Sequence, residues 1–94
     1  MPTVRIMHAV TSFEGWKQAF ESDPADRKGS GVLRYRVERS VADPNLVMID
    51  LDFEDVARAE AFVQTMRGIW DGPGKAVMRD PQAWILETVE EKTV

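Results

Sequence analysis

The amino-acid sequence predicts a ferredoxin-like α+β sandwich, a βαββαβ chain whose four-stranded antiparallel sheet carries both helices on one face. Three observations predict it. Segments with a two-residue apolar repeat alternate with segments of helical repeat in the order β-α-β-β-α-β. Proline, glycine and aspartate clusters punctuate nearly every boundary between them. Several strands are apolar on both faces, so the sheet has a second surface to bury. At 94 residues the chain is one domain, residues 1–94.

The first strand is expected over Thr3–Val10, a run rich in β-branched and apolar residues. Thr11 and Ser12 signal a helix start, and Thr11 with Glu14 has capping-box spacing. Phe13, Trp16, Ala19 and Phe20 then form one apolar stripe. Asp23-Pro24 ends this helix, because the residue before proline is driven out of the helical region. Pro24 can also open a short second turn with Asp23 as its cap. Gly29, Ser30 and Gly31 mark the next break. In Val32–Ser40, Leu33, Tyr35 and Val37 alternate with Arg34, Arg36 and Glu38. The Ala42-Asp43-Pro44-Asn45 turn connects this second strand in a hairpin to a third, Leu46–Phe53.

The second helix opens around Asp52–Asp55, with acidic residues where the helix dipole favours them. Val56, Ala59, Phe62 or Val63, Met66, and Ile69 or Trp70 share one face. Asp71-Gly72-Pro73-Gly74 ends it, and Lys75–Arg79 reads as a further helical turn. Asp80-Pro81 is read as the last break before a final strand, Gln82–Val89, and residues 90–94 as a frayed tail.

Composition narrows the function classes. There is no cysteine, which excludes disulfides, thiolate nucleophiles and cysteine-ligated metal centres. The net charge of −4 lacks the concentrated positive face that nucleic acids or anionic membranes need. Neither a signal-peptide pattern nor a membrane-length apolar run is read, so the expected location is cytoplasmic. A small-molecule pocket or a protein–protein surface remains.

Two constellations follow from the strand phases. On the face away from the helices, Arg5, Arg34, Arg36 and Glu38 stand with Asp50 and Asp52. Buried against a second copy of the chain, these residues form an ion-pair network in a homodimer interface; an anion-binding lumen is the other reading. On the helix-facing side lies His8, the one histidine. It is either a core imidazole with a single hydrogen bond or the proton acceptor or donor of a catalytic pocket. In the second case Tyr35 hydrogen-bonds a substrate oxygen, while Trp16, Trp70 and Phe62 line the cavity around an aromatic ring. The sequence shows no metal-ligand spacing, no nucleophile elbow and no phosphate loop, and no cofactor is expected.

The run His8-Ala9-Val10-Thr11-Ser12-Phe13-Glu14-Gly15-Trp16-Lys17 resembles the His-x-Val-x-Asp-Phe-x-x-Trp-Lys opening of small dimeric α/β-barrel proteins, with Ser12 at the usual Asp. Arg36–Arg39 followed by Asp43–Val47 looks like their second hairpin. Ala57–Phe62 with Arg67 and Trp70 is similar to their second helix, and Pro81–Glu87 to their final strand. That superfamily includes antibiotic-biosynthesis-type monooxygenases, polyketide cyclases and haem-degrading enzymes; the Asn-Trp-His set of the last is not found here. The resemblance implies a homodimer. It also implies a ligand site between sheet and helices, and a cofactor-independent monooxygenase-like or cyclase-like activity on an aromatic or polyketide-like compound. A non-catalytic metabolite-binding or interaction module on the same fold is the alternative.

Overall fold

The computed structural model describes residues 1–94. The elements run β1 (Pro2–Val10), α1 (Phe13–Glu21), β2 (Arg34–Arg39), β3 (Leu46–Asp52), α2 (Val56–Asp71), a 3₁₀ turn (Pro73–Ala76) and β4 (Met78–Glu87). The sheet order is β2-β3-β1-β4 and every pairing is antiparallel. This is the expected ferredoxin-like arrangement, with its two split βαβ units. No helix is long and apolar enough to cross a membrane.

Strand alternation sets the two faces. Val4, Ile6, His8 and Val10 of β1, with Val47, Ile49 and Leu51 of β3, point at the helices and are buried. Trp16 of α1 and Ala59, Phe62, Val63 and Trp70 of α2 close over them. Together they make one core cluster. α2 shows the expected apolar face, except that Val56 is half-exposed in its first turn. Asp55 caps this helix, accepting from the Arg58 backbone N–H at 2.8 Å.

Several strand ends fall one or two residues inside the sequence reading, at β2 (Arg34–Arg39), β3 (ending at Asp52) and β4 (ending at Glu87), and three further boundaries differ in kind. Ser12, not Thr11, caps α1, its Oγ accepting from the Gly15 N–H at 3.2 Å. The capping box with Glu14 therefore does not form, because the cap sits one residue later. The helical turn after α2 is confined to Pro73–Ala76. β4 then begins at Met78, so Arg79 is a strand residue and Asp80-Pro81 does not start the strand but interrupts it internally. The β1–β4 register runs from Met7 opposite Gln82 to Ala9 opposite Arg79, so two residues, Asp80 and Pro81, face His8. This is a β-bulge. Proline, with no N–H to donate, is tolerated there, and Asp80 takes the left-handed φ of 52°.

On the outer face the cross-strand register brings arginines and aspartates together. Asp50 stands between Arg5 and Arg36, and Asp52 between Thr3 and Arg34. Arg5 grips Asp50 with two hydrogen bonds, at 2.8 and 3.0 Å. Arg34 Nε donates to Asp52 at 2.5 Å and Thr3 Oγ1 at 2.6 Å. The Thr3 hydrogen bond, then the Arg34 one, hold the Asp52 carboxyl below its ordinary range against the opposing effect of partial burial. Trp84 and Leu86 lie on this same face, exposed rather than in the core.

Candidate functional site

His8 reaches the core because it holds an inward position of β1. Its ring centroid lies 5.2 Å from that of Trp16, tilted by 55°. The stripe read on α1 is a row of rings: Phe13 is 5.9 Å and Phe20 5.1 Å from Trp16. His8 is 2% exposed, and its Nδ1 has no hydrogen-bond partner in the protein. Burial, only partly offset by neighbouring backbone groups, pushes its pKa down to about 4. The imidazole is thus neutral at physiological pH. The expectation of a core histidine with one satisfied hydrogen bond is not met at Nδ1.

Next to this ring is a cavity of ≈ 180 Å³ between the sheet, both helices and the loop after α1. His8, Trp16 and Phe62 line it, together with Ile6, Ile49 and Met66. Its walls are mostly apolar. The volume is below the roughly 300 Å³ at which drug-sized sites begin, and close to the ~150 Å³ that accommodates a benzene ring.

Two of the expected site residues lie elsewhere. Tyr35 faces the helices, but on edge strand β2 opposite Leu51, whereas His8 aligns with Val47 and Arg39. Four strand positions and two strands separate them, roughly 16 Å. Tyr35 meets the site through Phe20, whose ring stands edge-on 5.3 Å away, and through Arg27, 4.9 Å from its ring. Trp70 is buried in the core but does not line the cavity, and its Nε1 is also without a partner. The helical repeat placed Trp70 on the correct face of α2 without fixing which turn reaches the cavity.

The sequence reading missed the loop after α1. Ser22, Pro24, Ala25 and Arg27 form one wall. Asp23 and Asp26 have left-handed φ values of 57° and 49°, and their carboxylates accept from the N–H groups of Arg27 (2.9 Å) and Gly29 (3.2 Å). Asp23-Pro24 did signal the helix end. Nothing in the pattern said that the chain then folds back over the apolar stripe.

No family model matches the chain, and none of the curated proteins matches its sequence. Solved structures do match its fold. One, from Deinococcus radiodurans and provisionally named an antibiotic biosynthesis monooxygenase, superposes with a TM-score of 0.65 at 15% identity, over 100% of this chain and 98% of that one. A variant of SnoaB, a cofactor-independent oxygenase from Streptomyces nogalater, gives a TM-score of 0.67 at 10% identity, over 96% and 94%. A variant of MhuD with manganese protoporphyrin IX bound gives 0.67 at 15% identity, over 100% of both chains. At such identities the likeness speaks for architecture: the chain has the ferredoxin-like fold of the antibiotic-biosynthesis-monooxygenase-like proteins.

Proposed function

We propose that this protein is a cofactor-independent, monooxygenase-like enzyme acting on a small aromatic compound held between sheet and helices. One observation carries the reading: a fully buried, neutral imidazole with a free Nδ1 borders an apolar cavity sized for about one ring. Such a group has no structural partner to satisfy, and a ligand hydroxyl or activated C–H is the partner its position suits. The named oxygenases sharing the fold agree with this reading. A porphyrin or a multi-ring polyketide exceeds the cavity, which favours single-ring substrates.

In a cofactor-free oxygenation the substrate supplies the electrons. A ring carbon next to the hydroxyl-bearing carbon, CH₂ in the keto tautomer of the phenol, and O₂ become C=O and water, one oxygen atom going to each product. The protein's part is to take the proton that renders the substrate electron-rich and to keep water out. The His8 imidazole is the acceptor for that proton, and the Trp16 and Phe62 rings hold the substrate plane. An imidazolium formed in so apolar a site is costly, so transfer needs an acidic phenol or enol whose anion stays beside it.

The test is oxygen uptake with hydroquinone and catechol, measured against buffer. The wild type is expected to accelerate uptake and His8→Phe to abolish the acceleration. Binding of either probe without any acceleration would sink the enzymatic reading. It would favour a metabolite-binding module instead, which the remoteness of Tyr35 from His8 already supports.

The outer sheet face we assign to a second copy. Trp84 and Leu86 are partly exposed there beside the Arg5–Asp50 and Arg34–Asp52 pairs, a mixture of signs that suits an isologous contact. Native mass spectrometry is expected to give a dimer, and a monomer at micromolar concentration would overturn the assignment.

A further inference from the structure

The cavity is lined by one charged side chain, Arg27, and the oxygenation chemistry above gives it no role. The side chain is 15% exposed. Its guanidinium carbon lies 3.9 Å over the Phe20 ring and 4.9 Å from the Tyr35 ring. Nη1 donates to the Phe20 carbonyl oxygen at 2.7 Å. The nearest carboxylate, that of Asp23, stands 3.4 Å from Nε and already accepts from the Arg27 backbone N–H. The guanidinium is therefore fixed in position by two rings, a carbonyl and an ion pair with Asp23, while its Nη2 makes no hydrogen bond within the protein. Asp23 and Asp26, both left-handed, shape the turn that lays Arg27 across Phe20. Residues in sparsely populated conformations gather at ligand sites.

We propose that the ligand is a single-ring aromatic monoanion whose ring fills the cavity beside His8 and Trp16 and whose carboxylate is held by Arg27. This inference rests on the reading of the cavity as a ligand site and adds the charge of what enters it. With Nη1 on the Phe20 carbonyl and Nε beside Asp23, Nη2 is left to donate a charge-assisted hydrogen bond to a carboxylate oxygen, and in a water-poor wall the attraction is little screened. The protein as a whole is acidic, with a net charge of −4, so long-range attraction does not favour an anion. Selection for one must come from this local cation. The Tyr35 ring stands beside the guanidinium, edge-on to that of Phe20.

The experiment titrates ¹⁵N-labelled protein with benzoate and with benzyl alcohol, a neutral probe of nearly the same shape. Chemical shifts around His8 and the Trp16 indole report the site. Benzoate is expected to bind the wild type about tenfold or more tightly than benzyl alcohol. In Arg27→Gln the preference should vanish, the two probes binding with equal affinity. Arg27→Lys should keep part of it, and Arg36→Gln all of it. Equal affinity of the two probes for the wild type would overturn the inference and leave the cavity standing as a ligand site. A benzoate preference that survives Arg27→Gln, or shifts confined to Arg5, Arg34 and Arg36, would do the same. Binding of neither probe would remove the ligand site and the inference together.

Discussion

Replacing His8 with Phe should flatten the dependence of stability on pH. The folded protein holds this imidazole at a pKa of about 4, against 6.5 for an unperturbed histidine. Below pH 6.5 the unfolded chain gains a proton on His8 that the folded chain refuses. Its contribution therefore penalises folding increasingly as pH falls from about 6.5 to about 4, and levels off below. The full depression corresponds to roughly 3 kcal/mol. Every other ionisable group is common to both proteins. The difference between wild type and His8→Phe isolates the histidine. The assay is urea unfolding followed by tryptophan fluorescence, at one protein concentration, from about pH 7 to about pH 4.5. Wild type should lose about 2 kcal/mol more than the variant over that range. At neutral pH the variant should be at least as stable, since Phe removes an unpaired Nδ1 whose burial costs about 1–3 kcal/mol. Parallel pH profiles would refute the reasoning, for they would mean that His8 is paired or wet in solution.

Three further substitutions probe the frame around the site. Trp16→Ala removes the ring that contacts His8 and Phe20 at the heart of α1, and should cost about 3–5 kcal/mol by urea unfolding while enlarging the cavity. Asp55→Ala deletes the α2 cap and should cost about 1 kcal/mol, read as a fall in melting temperature. Gly74→Ala would place a Cβ 2.8 Å from the Ile69 carbonyl oxygen, and should cost about 1–3 kcal/mol by the same measurement while moving the wall of the cavity.

The chemistry of the site turns on one consequence of burial. The imidazole is kept neutral by the absence of water rather than by a neighbouring charge. A base of that kind is available at every pH above about 4, so catalysis under the proposed mechanism should show no acidic limb near 6.5. An Arg27-bound anion nearby would raise the imidazole's affinity for a proton, which links the charge of the ligand to the competence of the base.

Much of this was legible in the chain itself. The period-two pattern of β1 and β3 assigned both faces of the sheet correctly, because side-chain direction along a strand is fixed by backbone geometry. Arg5, Arg34, Arg36, Asp50 and Asp52 were assigned to one surface for the same reason, and the register then paired them. The apolar stripe of α1 put Trp16 over the sheet, and His8 was placed facing it. These are local consequences of repeat and of cap, turn and breaker chemistry. What only the tertiary structure decided depends on distance through space. The β4 bulge at Asp80-Pro81 looks like a strand end in sequence, since a proline without an N–H reads alike in both settings. Tyr35 shares a face with His8 but not its position along the sheet, which strand pairing alone sets. Arg27 has no periodic signal at all. It reaches the cavity because two left-handed aspartates turn the loop back over α1, and no local pattern encodes where a loop comes to rest.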